Sequence, residues 1–399
     1  MKLLFVVSSL DLTQPFSATP AWWMLLKGLY EIGVEVLATP YQGPAIESLW
    51  WRVLPNPTKL QGDVFKATRD LMRRVTRAQH SAPLQVDSST DTIPESGMDR
   101  LTRRAAQTLI APVWLKHLDN ILTQQSDIDA VIFLTVPLNH LAGVAGELIR
   151  KHNKPIFYYD GDVPASLPNM RGFASGFRIY QGADVREYTA FISNSTGGES
   201  LLKELGAKAV HPLWYAADPD VYSPLPVTQD IDVMFYGHGR EYRAQWIQSM
   251  IADASRALPD ARFAVRGTGL DDLGHAKMLP YLSFSKLREY ACRSKINLAI
   301  TRGAHANLYG SSSMRPFELA AMGSCIVANP YAGIELWFEP EKEIIVVSSG
   351  EEAVERYRYL LSHDTERKAI GQAARERVLK QHTFRHRAQE LREIVEGYL

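Results

Sequence analysis

Short runs of consecutive apolar residues alternate along this chain with longer segments whose apolar positions recur every three or four residues, the signature of strands alternating with helices. Residues 2–7 read as a first strand, 21–32 as a helix and 34–39 as a second strand, with further strands at 130–134, 155–159 and 191–193. The segment 141–152 has helical period and bridges two of those strands, and another helix is expected around 199–205. A second set of strands begins at 231–236 and continues at 263–266, 296–300, 326–328 and 344–347, with a helix at 284–291. Strands alternating with helices in this way predict parallel sheets, so the expected fold class is α/β, with two Rossmann-like domains facing across a cleft.

The rhythm breaks in two places. Residues 58–125 are Arg-rich and helical in period, with a polar, Pro-containing stretch at 81–98 that reads as a mobile loop. Arg69, Arg73, Arg74 and Arg77 there recur three or four apart and form a basic helical face, either solvated or turned toward an anionic acceptor or membrane surface. Residues 212–230 carry Pro219, Pro224 and Pro226 and read as the connection between domains. The expected division is a first domain over 1–225 with a helical insert near 58–125 and a second over 226–399 whose last helix packs back on the first.

Composition narrows the field. At 399 residues the chain is too long for one ordinary core, and 46% hydrophobic with 22% charged residues is the balance of a globular protein. Lys plus Arg equals Asp plus Glu at 44 each, so no global field favours nucleic acid as a partner. Cys292 and Cys325 are the only cysteines, too few for a disulfide framework or a cysteine-ligated metal, and a cytoplasmic location fits. No stretch approaches the ~18 apolar residues of a membrane span, which leaves peripheral contact as the expected mode of any membrane role.

The densest chemistry lies in Arg315-Pro316-Phe317-Glu318 and the apolar run to Gly323. Pro316 suits a first helical turn, Ser311, Ser312 and Ser313 are available as caps, and Glu318 stands among Phe317, Leu319, Ala320, Ala321 and Met322. A carboxylate beside a packing face needs a partner if buried; otherwise it is a surface Glu paired with Arg315 or favouring the helix dipole. The run from Arg315 through Met322-Gly-Ser-Cys-Ile-Val-Ala-Asn-Pro-Tyr-Ala-Gly-Ile-Glu335 resembles the donor-site segment of GT-B glycosyltransferases, group 1 and family 4-like, in the spore-maturation-protein-like branch with an Arg-x-Phe-Glu motif. In those enzymes the Glu matching Glu318 accepts hydrogen bonds from the ribose hydroxyls of a nucleotide sugar. The resemblance extends to the helical segment beginning at Arg367 and departs at Gly310, where many family 4 enzymes carry a second Glu eight positions before the first.

Given that resemblance, the loops that end strands acquire roles. Tyr236-Gly237-His238-Gly239-Arg240 follows one strand, and its glycines would admit a diphosphate that Arg240 or Arg243 neutralises; alone it is also an ordinary strand-to-helix turn. Arg266-Gly267 ends the next strand alike, and Tyr281 precedes a helix where similar enzymes hold the nucleobase. Donor contacts are thus expected from Gly237, Gly239, Arg240, Arg243, Arg266, Tyr281, Ser312, Arg315 and Glu318. In the first half, Asp160-Gly161-Asp162 ends a strand, offering a base for an acceptor hydroxyl, two ligands for a cation, or a self-bonded turn. Ser9, Thr19 and His140 complete the expected acceptor side. The expected activity is metal-independent transfer of a sugar from a nucleotide sugar, as co-substrate and without a further cofactor, to an unidentified acceptor. Its rivals are a nucleotide-sugar epimerase or hydrolase on the same fold and a catalytically silent nucleotide or glycan binder.

Overall fold

A computed structural model describes residues 1–11, 20–59, 97–168, 179–237, 239, 243–280 and 284–399. The Arg-rich face at Arg69–Arg77 and most of the stretch read as a loop lie outside the described residues, as do Thr19, Arg240 and Tyr281.

Seven strands form the first sheet: β1 (Lys2–Ser9), β2 (Glu35–Gln42), β3 (Arg52–Val53), β4 (Ala130–Leu134), β5 (Ile156–Asp160), β6 (Ala190–Ser193) and β7 (Val210–Pro212). Their spatial order is β3-β2-β1-β4-β5-β6-β7, and every neighbouring pair is parallel. Six more, β8 (Ile231–Tyr236), β9 (Phe263–Arg266), β10 (Lys277–Met278), β11 (Ser294–Ala299), β12 (Cys325–Ala328) and β13 (Ile345–Val346), form a second parallel sheet in the order β10-β9-β8-β11-β12-β13. The fold is therefore α/β with two parallel-sheet domains. Parallel strands need helical crossovers that cover both faces, which is why β1 and β4 are buried runs rather than alternating ones. Three of the four edge strands, β3, β7 and β10, are two or three residues long and lack a flanking apolar run legible in sequence, whereas the equally short β13 lies within the apolar run 344–347.

In each sheet the chain reverses winding direction beside its first strand, between β1 and β4 and between β8 and β11. Open α/β sheets bind ligands in the crevice at such a point, outside the carboxyl ends of the strands. Ser9 stands at one crevice; Gly237 and the residues after Ala299 stand at the other.

The helix Phe384–Glu396 crosses onto the helix Ala21–Glu31 of the first domain. Gly28 makes this possible, because a β-carbon there would lie 2.7 Å from the Phe384 carbonyl oxygen. The interdomain chain and the returning chain bond reciprocally, with Ala217 N–H donating to His382 O at 3.1 Å and Phe384 N–H to Ala217 O at 3.0 Å. One hydrophobic core runs through both domains and includes Phe5, Leu26, Leu213, Phe317, Trp337, Val378 and Leu391. Among the described residues no helix is long and apolar enough to cross a membrane.

Arg387 is buried at this junction, and its guanidinium meets Glu390 at 2.5 Å and His382 Nδ1 at 2.6 Å. Burial, with the charges of Arg387 and Arg377, pulls the His382 imidazole down from 6.5 to about 3. Between those values the unfolded chain binds a proton that the folded chain refuses, so stability falls as pH drops through the window. One such group gives a slope of up to ~1.4 kcal/mol per pH unit. Urea unfolding from pH 7 to 4 should show this loss, and His382→Gln, which retains an acceptor for Arg387, should flatten it; an unchanged slope would remove His382 from the account.

Candidate active site

The crevices of the two domains meet, and a short buried strap holds them together. Residues 309–312 run antiparallel beside 194–197 of the first domain, bridged at Ser195 and Ser311. Thr196 N–H donates to Gly310 O at 3.2 Å, Gly197 N–H to Tyr309 O at 2.8 Å, and Ser312 N–H to Asn194 O at 2.9 Å. The Asn194 side chain accepts from Val163 N–H at 2.9 Å and donates to Ser312 O at 3.1 Å, while Ser311 Oγ donates to Val163 O at 2.7 Å. Tyr331 O–H donates to Ser311 O. Buried backbone polar groups must be paired, and here the carbonyls of Tyr309, Gly310 and Ser312 and the Ser312 amide are paired by the first domain.

Ser312, expected to touch donor, is built into this joint. Its hydroxyl donates to Asn194 O at 2.8 Å and accepts from Tyr215 N–H at 2.9 Å, so a donor contact would have to displace one of them. Gly310, where many family 4 enzymes carry Glu, sits at φ +60° with a would-be β-carbon 2.9 Å from Thr196 Oγ1 and 3.0 Å from Leu336. A side chain at that position collides with the joint.

The glycine loops pack on each other. A β-carbon on Gly267 would fall 1.7 Å from Gly237 O, and one on Gly239 would fall 2.1 Å from Gly269 O. Glycine is required there by approach of backbone to backbone. Gly237 N–H donates to Arg266 O at 3.0 Å and Gly239 N–H to Thr268 O at 2.9 Å, so both amides already have partners. Arg266 Nη1 donates to Gly267 O at 2.8 Å. Arg243 Nε donates to Ile300 O at 3.0 Å, at the carboxyl end of β11.

Glu318 lies in the helix Met314–Ala321 and is 1% exposed. Arg315 Nη1 stands 2.8 Å from its Oε2, and that guanidinium covers the Tyr236 ring at 4.9 Å. The other carboxylate oxygen, Oε1, is buried with no hydrogen-bond partner among the described residues. The surface-Glu alternative is thereby set aside, since a buried carboxylate with one unpaired oxygen is costly to hold.

The two aspartates differ. Asp160 is fully buried; its Oδ2 accepts from Ser166 Oγ and Tyr180 O–H, each at 2.5 Å, and its Oδ1 accepts from Asp162 N–H at 2.9 Å. Burial raises its carboxyl against the pull of those bonds, and its geometry shapes the turn rather than meeting a substrate. Asp162 is partly exposed and crosses to the second domain, with Oδ1 2.5 Å from Arg302 Nη2 and 3.3 Å from His305 Nε2. Burial would raise this carboxyl, but the His305 hydrogen bond and the Arg302 charge hold it below the usual range. His305 is 3% exposed, and its imidazole is lowered by burial and by the charges of Arg302 and Arg243, against the raising effect of Asp162.

Arg302 and His305 are functional candidates absent from the sequence reading. The signal was available: Arg302-Gly303 comes shortly after an apolar strand, much as Arg266-Gly267 ends one. His140 follows β4, with Nδ1 2.9 Å from Tyr41 O–H near the carboxyl end of β2 and its ring beside Tyr41. Ser9 is at the crevice, its hydroxyl accepting from Asp11 N–H at 3.1 Å. Among the described residues no group of three or more His, Cys, Asp or Glu side chains could hold a metal ion.

Comparison with known proteins bears on this geometry. Residues 240–393 match a family model described as glycosyl transferase-like. A sequence search of curated proteins finds no match. In structure the chain is similar to sucrose-phosphate synthase from Thermosynechococcus elongatus, at 11% identity and TM-score 0.64 over 100% of this chain and 99% of that one. It is also similar to Anabaena HepE in complex with UDP-glucose, at 12% identity and TM-score 0.59 over 100% of both chains. A third similar structure is T4 phage BGT in complex with its UDP-glucose substrate, at 11% identity and TM-score 0.57, over 100% of this chain and 99% of that one. Identities this low speak to the fold, which is GT-B across the whole chain, and the match on the second domain gives the class. The second domain, over residues 240–393, is glycosyl transferase-like, and the whole chain carries the fold of glycosyltransferase enzymes.

The joint is testable without substrate. Asn194→Ala would leave the Val163 amide and the Ser312 carbonyl buried without partners, at a cost of ~2–4 kcal/mol. Urea denaturation should register it as a lower midpoint with an unchanged slope. A loss under ~0.5 kcal/mol would mean that the strap does not hold the domains.

Proposed function

We propose that this protein transfers a sugar from a nucleoside diphosphate sugar to an acceptor hydroxyl presented by the first domain. The observation that carries this reading is Glu318, whose buried Oε1 is an acceptor with nothing among the described residues to accept from. A ribose diol supplies two donors to such a carboxylate, and Arg315, stacked over Tyr236 at 19% exposure, is the group a nucleotide would pass on entry. The uridine nucleotides bound by the similar Anabaena and T4 proteins make UDP-glucose the first donor to test. Within group 1 we place the chain in the spore-maturation-protein-like branch, on its Arg315-Pro-Phe-Glu318 motif and on the glycine that the joint requires at 310. Residues 1–225 serve as acceptor side and 226–399 as donor side.

Catalysis in this reading is positional and electrostatic. Arginines from the ends of β8, β9 and β11 face the departing diphosphate, so transfer proceeds without a metal cofactor. Asp162, rather than the enclosed Asp160, takes the proton of the attacking hydroxyl, which favours inversion of the anomeric centre. The two free cysteines, Cys292 and Cys325, accord with a cytoplasmic setting. The acceptor's class, whether glycan, lipid, small molecule or protein, is left to screening.

Glu318→Gln should weaken UDP and uridine alike by roughly tenfold or more, the loss of a charge-assisted hydrogen bond, with thermal stability retained. Calorimetric titration checks it; unchanged affinity in a folded variant would return Glu318 to a packing role. For transfer, Asp162→Asn should lower turnover by ~10²–10⁴-fold without weakening donor binding. Asp160→Asn should act chiefly on stability. Normal transfer by Asp162→Asn would instead support a retaining route that needs no acceptor-side base.

A further inference from the structure

Building on the donor reading above, we propose that Arg302 is shared between two anions: it neutralises Asp162 in the donor-free enzyme and turns to the diphosphate when donor binds, which releases Asp162 to act as base. The placement comes first. Arg302 lies three residues beyond the carboxyl end of β11, beside β8 at the winding reversal of the second sheet, where Gly237 also stands. That is where a ligand of this fold rests. Its guanidinium nevertheless reaches across the crevice to Asp162, 2.5 Å away on the first domain.

Charge is the second observation. The groups facing Asp162 are Arg302 and His305 from the second domain, with Asp160 behind it in its own turn and the Tyr215 hydroxyl donating to Gly161 O at 2.5 Å. Arg243, tethered to Ile300 O, acts electrostatically on His305. Among the described residues, two guanidinium groups and one partly exposed carboxylate stand at this edge of the crevice, since Asp160 is enclosed by Ser166 and Tyr180. Guanidinium groups at the crevice suit an arriving diphosphate.

Chemistry gives the third. A carboxylate held 2.5 Å from a guanidinium is a poor proton acceptor, because its basic form is the one the pair stabilises. If Arg302 stayed in place, Asp162 could not serve as base, and a guanidinium that leaves a carboxylate in a partly buried site is stabilised by a new anionic partner. A diphosphate provides that partner. The proton-accepting group is thus set free only when donor is present, and His305, with Nε2 3.0 Å from Arg302 Nη2 and 3.3 Å from Asp162 Oδ1, remains to orient the carboxylate.

Titrations with UDP and uridine test this without knowledge of the acceptor. Because Asp162 competes with the diphosphate for Arg302, Asp162→Asn should bind UDP more tightly than the wild type, by about fivefold to tenfold, with uridine unchanged. Asp162→Ala should give the same gain, which separates the loss of charge from any effect of the new amide. Arg302→Gln should weaken UDP by about tenfold and leave uridine unchanged, and in its background Asp162→Asn should no longer tighten UDP. Equal UDP affinity in wild type, Asp162→Asn and Asp162→Ala would overturn the sharing while leaving the donor site intact. Failure of the wild-type protein to bind UDP, or any other nucleoside diphosphate tried, would overturn the donor reading and this inference together.

Discussion

The pairing of residues 309–312 with 194–197 is the constraint on which the rest of the site depends. It is an interdomain contact made of backbone hydrogen bonds and buried side chains, and buried backbone groups do not tolerate loss of their partners. Two domains joined only by apolar surface could slide against each other; a strap whose amides and carbonyls are matched in register cannot. The relative position of the two sheets is therefore set at a few residues. Asp162 can meet Arg302 only because Val163, the next residue, is tied through Asn194 and Ser311 to the same strap.

This joint changes the meaning of several residues. Ser311 and Ser312 look like helix caps in the sequence, yet the helix Met314–Ala321 has no side-chain cap and both serines bond across the domain boundary instead. Gly310 reads as a missing catalytic acid, and the geometry shows a position where no side chain fits. The glycines at 237, 239 and 267 invite a phosphate-cradle reading, but Gly239 and Gly267 are needed first to let two loops pack backbone to backbone. That packing lines up the ends of β8 and β9, so the same glycines also fix where the nearby arginines emerge.

The contrast between Asp160 and Asp162 follows from the turn they share. Asp160 ends β5 with its side chain directed into Ser166 and Tyr180, and it accepts the Asp162 amide. Its enclosure holds the loop that carries Asp162 to the crevice. The two residues are equivalent in composition and two positions apart; pleat and turn send one inward and the other across to the second domain. Neither fate can be read from the string Asp-Gly-Asp.

The sequence by itself determined the α/β class, the alternation of strands and helices, and most strand positions, because continuous apolar runs between helical periods are a property of local pattern. Comparison of expected and observed bounds, such as 231–236 and 263–266, shows agreement wherever a strand is buried on both faces. It missed β3, β7 and β10, whose two or three residues carry no periodicity. It also marked Glu318 as a carboxylate set in an apolar helix, since a charge among core residues is visible locally. Only the tertiary structure decided which groups meet: Asp162 with Arg302 across 140 positions, Asn194 with Ser312 across 118, and His211 with Tyr398 across 187. Such pairs are set by how two separately patterned sheets dock, and docking depends on side chains matched between distant segments, which no window of sequence contains.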